Sequence, residues 1–157
     1  MDCLKHTSHR SYPLPNSGHV GRQKWLDLAF FHWRVPVEFV AKSIPDGLEL
    51  DLFEGEAWLS VVPFRMEDVM LRGLPAISGL SDFPELNLRT YVVKDGKPGV
   101  WFFSLDADQR LAVWAARRFF HLPYFKARMQ CESEGEGILY RSERSEDGAR
   151  FSFHKML

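Results

Sequence analysis

Lys94-Asp95-Gly96-Lys97-Pro98 stands between two strand-length apolar runs, Leu86 to Val93 and Val100 to Ser104. Asp-Gly supplies the left-handed backbone that a tight turn between antiparallel strands demands, so this stretch predicts a hairpin. The same punctuation recurs along the chain. Pro45-Asp46-Gly47 is a turn signal. Glu54-Gly55 separates Leu48 to Phe53 from Ala57 to Phe64 and predicts another hairpin. Gly135 and Gly137 turn the chain into Ile138 to Ser142, and a polar turn leads on to Ala149 to Phe153. A chain so punctuated folds mostly into antiparallel strand.

Helices fill the gaps. Trp25 to Arg34 is dense in aromatics and predicts a strand. Pro36 suits the first turn of a short helix, with Glu38 favourable near its N-terminus, and that helix ends before Pro45. Residues 67–84 carry Gly73, Pro75, Gly79 and Pro84 and predict a long loop, a common form for a functional lid. Asp106 is positioned to cap a second helix, with Gln109 completing a capping-box pattern. Leu111, Trp114, Ala115, Arg118 and Phe119 mark its inner stripe and flank, and Pro123 stops it. Tyr124 to Cys131 alternates as a strand, with Phe125, Ala127, Met129 and Cys131 on one face and Tyr124, Lys126, Arg128 and Gln130 on the other. The fold class is α+β, strand-rich, with two helices. Residues 1–21 are polar and predict a mobile leader; residues 22–157 form one domain.

Composition narrows the function. The chain has 13 Phe and 5 Trp, which predicts a wide core or an apolar cavity. Its 20 basic and 21 acidic residues leave no global field favouring nucleic acid or a membrane surface. No apolar run approaches the roughly 20 residues of a spanning helix, and the N-terminus has no signal-peptide core. Two cysteines, Cys3 and Cys131, fit a reducing compartment, so the expected location is cytoplasmic. His6, His9 and His19 have no fixed spacing and no carboxylate or thiolate cluster beside them, so no metal is expected. Nucleotide, hydrolase-elbow and zinc motifs are absent, and no cofactor is expected.

Four segments carry a family resemblance. Trp33-Arg34, the short helix and Ile44-Pro45-Asp46-Gly47-Leu48-Glu49-Leu50-Asp51 resemble the tyrosine-arginine, helix and V-P-x-x-L-x-x-D pattern of acetoacetate decarboxylases. Phe83-Pro84-Glu85 is similar to the segment holding that family's active-site glutamate, and Ala116 to Ala127, A-R-R-F-F-H-L-P-Y-F-K-A, resembles its G-R-E to P-K-K loop. A closer resemblance, to the bacterial YqjF-like group of uncharacterised proteins, runs from about Trp25 to Arg150 through H-W-R-V-P, F-P-E-L-N-L-R-T-Y-V and A-R-R-F-F-H-L-P-Y. The resemblance implies an antiparallel sheet curling into a cone or barrel, and homo-oligomers occur on that fold. Proteins of the YqjF-like group extend past the end of this chain, which implies a barrel shortened at its C-terminus.

The resemblance places the substrate-holding arginine on Arg34 and the glutamate on Glu85. The proline is Pro123, but Tyr124 and Phe125 stand where the two lysines would be. Decarboxylation of a β-keto acid needs an electron sink, which a protonated lysine imine supplies. Neither aromatic residue forms one. Lys126 lies on the Tyr124 side of the strand but about 7 Å further along. The reading is therefore a small-molecule ligand, a carboxylate or carbonyl compound, in an apolar pocket edged by Arg34, Glu85, Tyr124 and Arg117, without Schiff-base chemistry. Each residue also has a plainer reading: Arg34 closing a strand end, Glu85 a solvated edge, Tyr124 filling space, Arg117 on an outer helix face. An acid–base enzyme is the alternative, with Glu85 or His32 as acid or base and Tyr124 as hydrogen-bond donor. A shortened remnant or interaction domain with an open sheet edge is the third reading.

Overall fold

The computed structural model describes residues 7, 8, 13, 16–73 and 81–156. The elements in chain order are β1 (Gly21–Leu26), β2 (Phe31–Val35), α1 (Val37–Ala41), β3 (Glu49–Leu50), β4 (Ala57–Leu71), β5 (Phe83–Lys94), β6 (Lys97–Ala107), α2 (Arg110–Ala115), β7 (Tyr124–Glu134), β8 (Gly137–Arg144) and β9 (Arg150–Met156). The strands join in one curled sheet of order β1-β4-β5-β6-β7-β8-β9, with β2 beside β4 and β3 beside β5. No helix among the described residues is long and apolar enough to cross a membrane.

The β5–β6 hairpin forms as its sequence dictates. Asp95 and Gly96 sit at φ 50° and 71°, the two-residue turn that matches strand twist. Every strand pair is antiparallel except β6–β7, which runs parallel through Leu105↔Tyr124, Asp106↔Phe125 and Ala107↔Lys126. The expected strand-rich, mostly antiparallel sheet is present, and this joint makes it mixed. Parallel neighbours need a crossover, and α2 provides it.

Other expectations move with the pairing. Trp25 to Arg34 is two strands broken at Asp27, whose φ is 55°. Gly21, assigned to the leader, begins β1 opposite Leu71. That pairing extends β4 through residues read as loop; residues 74–80 of the same loop, and residues 1–6 of the leader, with Cys3 and His6, lie outside the described residues, as does His9. Glu54-Gly55 makes a tight turn closed by Phe53↔Glu56, but β3 pairs with β5 rather than β4, taking the edge of β5 beyond the start of β4. Asp106 ends in β6, and Gln109 caps α2 by accepting from Leu111 N–H at 3.1 Å. Along α2 and the π-helical turn Ala116–Phe120 that follows it, the inner face is Ala112, Val113 and Ala116, small enough to lie close on the sheet, while Leu111, Trp114 and Phe119 are exposed.

The two faces of the sheet bury separate cores. On one, Val62, Phe64, Met66, Phe83, Leu105, Ala107 and Tyr124 pack under Val113 of α2. On the other, Leu86, Ala127 and Met129 pack with Val61 and Phe151. Strand alternation lets β7 serve both, sending Tyr124 to the first and Ala127 and Met129 to the second. The second face also holds an ion pair: Arg144 Nε donates to Asp106 Oδ1 at 2.7 Å, and Ser142 Oγ donates to Asp106 Oδ2 at 3.1 Å. Burial pushes the Asp106 carboxyl up, and Arg144 and Ser142 pull it back.

Breaking a buried pair strands a charge, whereas a surface pair contributes little. Arg144→Met is expected to lower unfolding free energy by about 3 kcal/mol. Arg150→Met, which removes an exposed partner of Glu143, is expected to cost at most about 1 kcal/mol. Urea denaturation of both variants reads the contrast, and equal losses would refute it.

Candidate functional site

β5 presents Glu85, Asn87 and Arg89 at alternate positions, hence on one face. β4 lies beside it in unbroken register, with Phe64 opposite Glu85, Val62 opposite Asn87 and Ser60 opposite Arg89. Residues directly opposite share a face, so the first core continues into a polar track: Glu85, Asn87, then Arg89 with Ser60, then Trp58 two residues further along β4.

Glu85 forms the inner end and is 2% exposed. Tyr124 O–H donates to its Oε2 at 2.9 Å, and the Asn87 side chain hydrogen-bonds it as well. Val62, Phe64, Leu105 and Ala107 supply the apolar surroundings. Burial raises the Glu85 carboxyl to about 7, with Tyr124 and Asn87 opposing. Burial and the neighbouring carboxylate push the Tyr124 phenol well up, so it stays protonated and remains a donor. The pair therefore comprises a permanent donor and an acid that changes charge near neutrality.

Four buried side-chain polar atoms among the described residues have no hydrogen-bond partner: Trp58 Nε1, Ser60 Oγ, Asn87 Oδ1 and Arg89 Nε. All four belong to this track. At its outer end lies an apolar depression of about 520 Å³ lined by His32, Asp51, Leu52, Phe53, Trp58 and Tyr91. His32 Nε2 lies 2.7 Å from Tyr91 Oη, and the two rings stack at 5.9 Å.

Glu85 and Tyr124 are thus brought together; His32 and Arg34 lie at the outer end of the track, and Arg117 lies on the surface. His32 lines the depression. Arg34 lies opposite Trp58, six positions along β4 from Phe64, or about 20 Å from the Glu85 row. Its side chain is 62% exposed, 3.9 Å from Glu54 and over the Trp58 ring. The arginine-to-glutamate grouping carried by the resemblance is corrected accordingly, because β2 meets only the first half of β4. Arg117 is exposed, ion-paired with Glu146 at 3.2 Å, and stacked on Phe125. Lys126 is tied to Asp108 and to the Asp108 and Ala127 carbonyls at the end of β7. Sequence reasoning missed Asn87, Arg89, Ser60 and Trp58 as a group. The signal was the polar alternation Glu85, Asn87, Arg89 inside an otherwise apolar run.

A carboxyl whose pKa is higher folded than unfolded favours the fold while protonated. That contribution is complete below pH about 4.5 and is lost as pH rises through about 7. At about 1.4 kcal/mol per pKa unit, wild type should lose roughly 3 kcal/mol relative to Glu85→Gln across that window. Urea titrations of both proteins from acid to neutral pH measure the difference, and parallel pH profiles would sink the assignment.

Comparison with known proteins identifies the fold and the family. The uncharacterized protein YqjF of Bacillus subtilis (strain 168) is 50% identical over 138 residues, covering 88% of this chain and 57% of YqjF. Acetoacetate decarboxylase from Legionella pneumophila superposes with a TM-score of 0.61 at 17% identity, over 85% of this chain and 50% of that one. The enduracididine biosynthesis enzyme MppR, complexed with the condensation product of pyruvate and imidazole 4-carboxaldehyde, superposes at 0.58 with 14% identity, over 78% and 50%. The chain spans about half the length of these relatives and shares the acetoacetate decarboxylase-like fold. Residues 22–156 match the model of DUF2071, described as an uncharacterized conserved protein, and the chain belongs to that family.

Proposed function

We propose that this domain binds a small carboxylate or carbonyl compound non-covalently along the polar track, with Tyr124 and Glu85 at the inner end, and forms no Schiff base. The run of unpartnered polar atoms on one face carries this reading. Buried polar groups are nearly always hydrogen-bonded, so four orphans in one patch mark a place where water or a polar ligand completes the set. The adjoining depression, about 520 Å³ and largely apolar, is within the size range of small-molecule sites. One MppR structure on the same fold is described as complexed with pyruvate, a compound of the proposed class. The absence of covalent chemistry rests on Tyr124 standing at the lysine's position in the resemblance and on Lys126 being held by Asp108.

A second reading is acid–base catalysis on such a compound. A carboxyl raised to about 7 is suited to exchanging a proton, and Tyr124 is suited to donating to a carbonyl oxygen. Turnover of keto or hydroxy acids that is lost in Glu85→Gln would favour it over simple binding.

Ligand-observed NMR with pyruvate, octanoate and methyl hexyl ketone tests the main reading, together with borohydride trapping and mass spectrometry. Saturable binding of at least one carbonyl compound is expected, weakened about five- to tenfold in Tyr124→Phe, the worth of one neutral hydrogen bond. No trapped adduct is expected. Binding indifferent to both Tyr124→Phe and Glu85→Gln, or an adduct on Lys126, overturns the proposal.

A further inference from the structure

We infer that the anionic end of the ligand is held by Arg89, with Trp58 and Ser60 beside it, and not by Arg34. The inference rests on the binding reading above and assigns its carboxylate subsite.

Three arginines among the described residues are half-buried: Arg65, Arg89 and Arg144. Arg65 pairs with Asp27 and Glu67, and Arg144 pairs with Asp106 and Asp147. Arg89 has no acidic partner among the described residues. Its guanidinium carbon lies 5.4 Å from the Phe30 ring centre and 5.9 Å from that of Tyr91, and its Nε is buried without an acceptor. A guanidinium cannot shed its proton, so a half-buried one is compensated only by an anion or by other acceptors. Ring faces supply part of this but accept no N–H bond in the guanidinium plane.

The neighbours point the same way. Ser60 is directly opposite Arg89, fully buried, with an unpartnered hydroxyl. Trp58 Nε1 is unpartnered too, and Trp58 and Tyr91 both wall the depression. An arginine fork, an indole N–H and a hydroxyl form a donor set, and its complement is a carboxylate. Arg34 lacks these attributes, being mostly exposed and already beside Glu54.

Spacing sets the ligand's shape. Arg89 lies four positions from Glu85, about 13 Å along an extended strand. A compound touching both ends is therefore an extended acid of medium chain length with an apolar middle. One the size of pyruvate reaches a single end.

Octanoate, its neutral carboxamide octanamide, and methyl hexyl ketone are titrated at neutral pH into wild type and variants. Arg89→Gln should weaken octanoate about 30-fold and octanamide less than about threefold, the difference expected for a charge-assisted bond. Arg89→Lys, which keeps the charge, should lose less than about tenfold, and Arg34→Gln should change neither probe. Thermal melts of each variant confirm that it is folded. Octanoate binding unmoved by Arg89→Gln, equal loss of both probes, or dependence on Arg34 instead overturns the subsite. A ketone site that still depends on Tyr124 would then survive by itself. If wild type binds none of the three probes, the parent reading falls and the subsite with it.

Discussion

The parallel joint between β6 and β7 is the constraint on which the arrangement depends. It puts Tyr124 opposite Leu105 on β6, while Glu85 faces Ala107 from the other side of that strand. Two strand spacings, about 10 Å, separate β5 from β7. A phenol and a carboxyl must therefore meet across the top of β6, and they do so at 2.9 Å. Only a long side chain with a terminal donor closes such a gap, and only a small residue beneath leaves room. Ala107, fully buried, is that residue. The crossover that enforces the joint ends with His121 in left-handed geometry, φ 54°, just before Pro123. The preceding turn, Ala116–Phe120, is π-helical, an irregularity frequent near functional sites.

Much of the fold was legible because it is written locally. Asp95-Gly96 and Glu54-Gly55 specify turns by backbone preference alone, and Pro36 and Pro123 mark helix limits. Alternation in β7 correctly separated Tyr124 from Ala127 and Met129. The misreadings arose where a distant partner decides. β4 runs to Leu71, into the stretch read as loop, because β1 pairs with it. Asp106 is a strand residue because Arg144 and Ser142, far along the chain, need its carboxylate. Trp114 reads as core by spacing, but Val113 and Ala116 allow the helix nearer the sheet, which leaves Trp114 outside.

Of the candidate site, the resemblance points to Glu85 and Tyr124, which share a hydrogen bond. Order along the chain points to Arg34, and order does not measure distance across a sheet. The polar track is not visible in the sequence because Ser60, Asn87 and Arg89 each look ordinary alone. Only strand register shows that they are neighbours.

The two buried carboxyls differ in the partners they are given. Asp106 has Arg144 and a hydroxyl, a complete set of partners that ties β8 to β6. Glu85 has two neutral donors and no cation, and its charged form is disfavoured accordingly. On the same face Arg89 has no anion among the described residues. The two do not neutralise each other. At about 13 Å and an effective dielectric near 20, their attraction is about 1.3 kcal/mol, well short of the several kcal/mol that burying a charge costs. Kept apart, each relies on other partners: Tyr124 and Asn87 serve Glu85, while the guanidinium of Arg89 lies over the Phe30 and Tyr91 rings.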